Sequence, residues 1–375
     1  MKILLAYSLF AKKWGGVFNV CYHLSKQLSA MGHEVTILTT DFGYDSSIAH
    51  TISDVEVIPF HCTANVAGFI YTPSMKSWLN KHIKEYDIVH IHGYRGYQTN
   101  IISKYAVKYS IPYIIQPHGS FPRIVEKQNL KMIYDLVWGN KAIRNAAKVV
   151  AVSEAELKQI AESGLRYDDI DVIYNGVDVE HYLNANVVKT VVDPDILTIL
   201  YAGRLHNRKG IDFLIRSFAM LLSSRKDICL RISGTGDEQY VESLLNLSRE
   251  LGISENVEFL GLVPDLKTEY VNANLLVYPS VHEIFGLVPF EALLCGTPVI
   301  VTDDCGCGDI IGGKDMGYLV KYGDIEGLAD MISRVFSEYD VALEKTECGK
   351  VYIRNELAWD RVVERYVDLY CGVMG

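Results

Sequence analysis

Short apolar runs bounded by loop residues alternate with amphipathic stretches of helical length along most of this chain. Residues 2–8 read as a first buried strand. After the loop 9–16, a helical pattern runs from Val17 to about Met31 and stops at Gly32, and residues 33–39 form the next strand. Residues 71–86 read as an amphipathic helix. Residues 87–92, 111–116 and 148–153 read as further strands, with 154–164 a helix ended by glycine. The alternation restarts at 196–202 and continues as helix 212–222, strands 229–233 and 257–260, the apolar run 275–279, helix 287–295 and strand 298–301. Residues 306–311 and 317–320 are expected to complete this second sheet, and 328–338 reads as a helix. Alternation of this kind predicts parallel α/β sheets. The interruption at 179–195, marked by Asp193-Pro-Asp, predicts a hinge between two of them.

Bulk properties fit that reading. A length of 375 residues suggests two domains, and 49% hydrophobic with 22% charged residues is ordinary for a soluble globular protein. No apolar run is long enough to span a bilayer. The first seven residues are too short for a signal peptide and serve as the first strand. The eight cysteines are scattered, with Cys305-Gly-Cys307 the close pair and no CxxC, so reduced thiols in the cytoplasm are expected. The net charge of −10 is uneven. Residues 1–170 hold 18 Lys+Arg against 14 Asp+Glu, or +4; the rest hold 18 against 32, or −14. A mildly basic first half fits a phosphorylated lipid or anionic membrane surface, and fits equally an ordinary difference between domains. Residues 121–148 sharpen the first option. There Arg123, Lys127, Lys131, Lys141, Arg144 and Lys148 alternate with apolar residues, as in an interfacial helix or a plain surface helix packed on a sheet. No nucleic-acid partner is expected.

Candidate chemistry concentrates at loops that follow strands. Glu283 and Glu291 stand with seven residues between them, one on a loop and one about a turn into helix 287–295. Their backbones are then on the order of 10 Å apart. That is far for two carboxylates sharing one glycosidic oxygen. It suits a long ligand held at a sugar by one acid and at a ribose by the other, or simply a helix start that favours acids. The helix start at Gly286, Leu287 and Val288, with Phe285 before it, offers free N–H groups to a phosphate. Arg204 and Lys209, where a strand hands over to a helix, can clamp a diphosphate or sit as solvated loop charges. Gly15 and Gly16 precede the first helix, as a phosphate loop or a plain tight turn. No G-x-G-x-x-G follows that strand, so a dinucleotide site is not indicated. His118 ends strand 111–116, at the edge where such sheets bind ligands. His90 and His92 share a strand face; with no third ligand nearby they read as strand-end histidines, not a metal pair.

The string E-IFGLVPF-E followed by ALLCGTPVI, with Gly286, Ala292, Gly296 and Pro298 in place, resembles the E-x7-E signature of the retaining glycosyltransferases of family 4. Similar matches run through most of the chain: Gly15-Gly16, D-x-V-H-x-H at 87–92, P-H-G at 117–119, N-G-V-D at 175–178, G-R-L-x3-K-G at 203–210 and G-x-G at 234–236. The resemblance implies the GT-B fold, α/β with two Rossmann-like parallel-sheet domains facing across a cleft. Residues 1–180 would be the acceptor-side domain, with 357–375 packing back on it, and 181–356 the nucleotide-sugar domain. It further implies a retaining, metal-independent hexosyltransferase without cofactor. The donor would be a nucleotide-diphosphate sugar (UDP-sugar first, GDP-mannose next) and the acceptor a glycan or lipid-linked glycan of the cell surface, with peripheral membrane contact. By the same resemblance Gly15, Gly16, Arg204, Lys209 and the 285–288 segment face the diphosphate, Val263 lies near the base, Glu291 binds ribose, and Glu283 and His118 act at the sugar. A nucleotide-sugar epimerase of the same fold and a non-catalytic sugar-binding protein are the rival readings.

Overall fold

The structure, a computed structural model, describes residues 1–66, 68–121, 128–162, 164–165, 167–183 and 196–375. The expected hinge residues from 184 to 195, with Asp193-Pro-Asp, lie outside these, as do Arg123 and Lys127 of the basic stretch. The chain forms two compact units: Met1–Gly176 with Trp359–Gly375, and Val177–Ala358.

The first unit is built on seven strands: β1 (Lys2–Ala6), β2 (Glu34–Thr40), β3 (Glu56–Phe60), β4 (Ile88–His92), β5 (Tyr113–Gln116), β6 (Lys148–Ala151) and β7 (Ile170–Val172). All pair in parallel, in the order β3-β2-β1-β4-β5-β6-β7. The second unit has six: β8 (Leu197–Ala202), β9 (Ile228–Ser233), β10 (Val257–Gly261), β11 (Leu275–Tyr278), β12 (Val299–Thr302) and β13 (Tyr318–Val320). Their order is β10-β9-β8-β11-β12-β13, again parallel. Parallel sheets are covered on both faces, so their central strands carry near-continuous apolar runs. Ile3-Leu4-Leu5 of β1 and Ile199-Leu200-Tyr201-Ala202 of β8 are fully excluded from solvent.

The helices that matter below are α1 (Gly16–Ala30), α2 (Glu154–Ala161), α3 (Val179–Leu183), α4 (Ile211–Leu222), α5 (Val288–Leu294), α6 (Gly306–Gly313) and α7 (Trp359–Met374). Although it is the end of the chain, α7 belongs to the first unit. Its Trp359, Val362, Val363, Tyr366 and Tyr370 are buried in one cluster with Phe18, Cys21 and Leu24 of α1. No described helix is long and apolar enough to cross a membrane.

Two readings of the pattern need correction, and the helices at 97–109, 238–250 and 339–352 were not read at all. Residues 306–311 are not a strand but most of α6; its first turn is wedged under Ile284, where a Cβ on Gly306 would come within 1.8 Å of the carbonyl oxygen. The sheet closes on β13 alone. The helix expected from residue 71 starts at Met75, because Phe69–Tyr71 pairs with Ala64–Val66 as an antiparallel hairpin and Pro73 follows. Residues 339–352, where no element was read, form a helix. Its Val341, Leu343 and Val351 face solvent, so no apolar stripe marks it in the sequence.

Candidate active site

Both sheets change winding direction between their first and fourth strands. In the second unit β8 and β11 are neighbours although two strands intervene in sequence, and their carboxyl ends open a crevice of the kind where α/β sheets take ligands. The loops leaving these two strands are residues 203–210 and 279–287, and they carry Arg204, Lys209, Glu283 and Gly286.

Gly210 brings the two loops together. It is left-handed (φ 63°), and a Cβ there would stand 2.1 Å from the Pro279 carbonyl oxygen. A side chain would force the loops apart. The apposition carries Lys209 Nζ to the Tyr278 hydroxyl, 3.1 Å away, and into an ion pair with Glu283 Oε2. Tyr278 Oη in turn donates to Glu283 Oε2 at 3.3 Å. Burial first, and the Glu283 charge second, push the Tyr278 hydroxyl well above its usual range, so it remains a donor. Arg204 differs: its backbone carbonyl accepts from Tyr201 (3.0 Å), while its exposed guanidinium has no ion pair among the described residues.

The Glu283 loop is held tightly. His282 is left-handed (φ 55°), its N–H donating to the Asp304 carbonyl at 3.0 Å. The Glu283 carbonyl accepts from Gly306 N at 2.7 Å. Gly286 is also left-handed (φ 83°), and its missing side chain leaves room for the Tyr278 ring and Cys307 Sγ, which a Cβ would meet at 3.1 and 3.2 Å. Beyond it α5 begins, with Pro289 in its first turn. Leu287 and Val288 are partly buried. The Phe285 ring is 3% exposed and packs on Phe290, so this residue can offer a ligand only its backbone.

Glu291, one turn into α5, is partly buried. Its Oε2 accepts from Tyr270 Oη at 2.8 Å, and the Tyr182 hydroxyl of α3 is its second phenolic partner. Burial raises this carboxyl above the ordinary range, and the two hydroxyls pull it back. Tyr270 and Tyr182 had not been singled out in the sequence. No local spacing links them to Glu291, 21 residues beyond the nearer one. Val263 is partly buried on the loop after β10, the sheet's outer strand, with β9 between it and the β8–β11 crevice. The 234–236 loop lies against the Arg204 loop, Leu205 N–H donating to the Thr235 carbonyl at 2.8 Å.

In the first unit Gly15 and Gly16 leave β1 at its carboxyl end. Gly15 is left-handed (φ 73°) with open space where a side chain would stand, and Gly16 starts α1. His118 follows β5. It too is left-handed (φ 52°), and its Nε2 lies 3.0 Å from His92 Nδ1, the rings stacked at 5.3 Å. Burial pushes His118 well below the usual imidazole range and His92 down to about 3, so both rings are neutral. His90 meets the Tyr370 hydroxyl of α7 at 2.7 Å. Among the described residues no group of three His, Cys, Asp or Glu side chains is placed to hold a metal.

Two residues overlooked in the sequence fix the His118 turn. Arg95 forks onto Asp135 (2.9 and 2.7 Å) and donates to the carbonyls of Ser120 and Phe121. Glu156 accepts from the amides of Gly119 and Val152. The only signal for Glu156 is its place three residues after Ser153, as in a helix capping box.

Comparison with known proteins adds to this geometry. Residues 14–181 match the family model described as Glycosyltransferase Family 4, and residues 185–350 that of Glycosyl transferases group 1. An uncharacterized glycosyltransferase of Methanocaldococcus jannaschii is 27% identical over 376 residues, covering 95% of this chain and 94% of the relative. A D-inositol 3-phosphate glycosyltransferase of Thermomonospora curvata is 25% identical, covering 96% and 90%. Anabaena HepE, solved in complex with UDP-glucose, superposes with a TM-score of 0.79 at 19% identity over 99% of this chain and 100% of that one. The sucrose-phosphate synthase of Thermosynechococcus elongatus does so with 0.74 at 20%, over 100% and 99%.

Proposed function

We propose, on the premise that this chain belongs to the GT-B glycosyltransferases, that it transfers a hexose from a nucleotide-diphosphate sugar to a glycan or lipid-linked glycan with retention of anomeric configuration. A UDP-sugar is the favoured donor and GDP-mannose the next; solved relatives of this fold that hold UDP or UDP-glucose support the first. The observation that carries the reading is the Lys209–Tyr278–Glu283 triangle at the β8–β11 switch point, with Glu291 on the helix that follows.

Lys209 is paired with Glu283. A donor diphosphate competes for the ammonium, and as Lys209 turns to the phosphate the Glu283 carboxylate is released to a sugar hydroxyl. Binding the anionic half of the donor thus arms the sugar-binding acid. Once the donor is bound, Arg204, Lys209 and the 285–288 amides stabilise the leaving diphosphate as its bond to the anomeric carbon breaks. Glu283 steadies the positive character left on the sugar, and Glu291 accepts from ribose hydroxyls. Val263 is assigned to the base and Gly15-Gly16 to phosphate. His118, a neutral imidazole, is assigned to a sugar hydroxyl or the acceptor. The leaving diphosphate takes the acceptor proton on the face it departs from, which accounts for retention without a protein nucleophile.

The test is a panel of nucleotide sugars. A UDP-sugar at 100 times its dissociation constant should stabilise the fold by roughly 2.7 kcal/mol, read as a rise in Tm. Transfer should persist with a chelator and give the donor's own anomer by proton NMR. An inverted anomer would refute retention, a strict divalent-ion requirement would refute metal independence, and an epimerised sugar formed without acceptor would favour the epimerase.

The acceptor side carries a second expectation. Met132, Leu136, Val137 and Trp138 are 50–79% exposed, close in sequence to the exposed cations Lys141 and Arg144. This is the composition of an interfacial anchor, and it supports peripheral contact with an anionic membrane. Vesicles containing phosphatidylglycerol should sediment the protein at low salt, and Leu136→Ser with Trp138→Ser should abolish this. Sedimentation equal on neutral vesicles, or unchanged in the double variant, would count against it.

A further inference from the structure

We propose that Glu156 is a positioning residue, whose buried carboxylate fixes the left-handed His118–Gly119 turn and so the aim of the His118 imidazole. The functional half of this inference rests on the role proposed above for His118.

Ser153 caps α2 by accepting from Glu156 N at 3.1 Å. A glutamate at this third position ordinarily turns back to the cap residue's own amide, at the surface. Glu156 does not. Its side chain is fully excluded from solvent and reaches inward, Oε2 to Val152 N at 2.8 Å and Oε1 to Gly119 N, 37 residues away. Burying a carboxylate this way is costly, and burial drives its protonation up to about 7 despite the two amides. A helix cap does not require that cost.

What the carboxylate holds is a strained pair. His118 (φ 52°) and Gly119 (φ 75°) are consecutive left-handed residues, and the first is not glycine. Such a conformation persists where its surroundings over-determine it. Here His92 meets the imidazole at 3.0 Å, Glu156 holds the next amide, and Arg95 holds the carbonyls of Ser120 and Phe121. Among the described residues only Glu156 directly bonds the peptide that joins His118 to Gly119, inside a turn that the Ser120 N–H closes onto the Pro117 carbonyl at 3.2 Å. Without it that peptide keeps only the turn's own closing bond, and the aim of the histidine ring loosens with it.

The experiment compares Glu156→Gln, Glu156→Asp, Ser153→Ala and His118→Ala by amide hydrogen exchange, the His118 ring resonance and transfer kinetics. Glutamine presents one acceptor and one donor to two N–H groups, and aspartate falls short of Gly119. Both should speed Gly119 exchange at least tenfold and shift the His118 signal. Both should lower kcat by about 10–100-fold, the scale of a displaced reacting group. Donor KM should move less than about threefold, because the groups assigned to grip the donor most directly, Arg204, Lys209 and Glu291, lie in the second unit. Adding His118→Ala to Glu156→Gln should cost little more, since the two act as one unit. Ser153→Ala, which removes the cap alone, should lower Tm and leave both kcat and Gly119 exchange unchanged.

Wild-type transfer by Glu156→Gln beside a defective His118→Ala would overturn the positioning role alone. Wild-type transfer by His118→Ala would remove the reading of His118 itself. Should neither Glu156 variant fold, the wild-type protein still decides: a Gly119 amide exchanging as fast as an open turn overturns the proposal.

Discussion

Lys209→Ala lowers kcat for transfer by about 10²–10³-fold, the loss seen when one fixed group is removed from a developing anion. The loss should fall mainly on kcat, because the charge on the leaving oxygen grows as the glycosidic bond breaks and is smaller in the ground state. The variant should fold. Glu283 is left without its cation, but its side chain is 27% exposed and can rehydrate. Tyr278→Phe should cost less, about tenfold, since it deletes one hydroxyl that orients the pair but leaves both charges. Steady-state kinetics on one UDP-sugar, with Tm as the folding control, checks both. Lys209→Ala turning over at the wild-type rate would sink the proposed phosphate role.

Glu291→Gln raises donor KM by about 10–100-fold, the weight of hydrogen bonds to a charged acceptor, with a smaller change in kcat. The decisive comparison uses a donor lacking one ribose hydroxyl. It should bind less well than the full donor to the wild type and equally well to Glu291→Gln, the two losses coinciding because they remove one interaction from opposite ends. Equal discrimination by both proteins would show that Glu291 does not touch the ribose. The same carboxyl sets a pH dependence. Burial raises it and the Tyr270 hydroxyl holds it down, so donor KM should climb as pH falls and Glu291 takes up a proton. In Tyr270→Phe one opposing hydrogen bond is gone, and that acid limb should move to higher pH. His181, Asp178, Asp265 and Cys295 also surround this group, and their charges shift the limb's position but not the sign of the difference.

The chain's own pattern reached further into the fold than into the site. Buried strands such as 2–6 and 197–202 were legible because both faces are covered and Ile3–Ala6 and Ile199–Ala202 are unbroken apolar runs. The α6 segment was misread because Gly306-Cys-Gly-Asp-Ile-Ile gives a short apolar run without helical spacing, and only its packing under Ile284 decides the matter. The helix at 339–352 was invisible for the opposite reason, a scatter of exposed apolar residues. Within the site, Arg204, Lys209, Glu283 and Glu291 were visible as charges at loops or helix starts. The tyrosines that tune them were not, since a phenol in a helix looks like any core aromatic until its partner is known.

By itself, then, the order of residues determined the alternation of strands and helices, the handover loops and the charged groups placed on them. All of these follow from periodicities within a single element, where each residue's environment depends on near neighbours. Tertiary structure alone decided that β11 lies beside β8, so that Lys209 meets Glu283 across 74 residues, that Tyr270 caps Glu291, and that Glu156 reaches Gly119. Strand order is fixed by how amphipathic helices cover a twisted sheet and by the winding that this packing permits. That is a property of the whole assembly, and no local stretch of the chain encodes it.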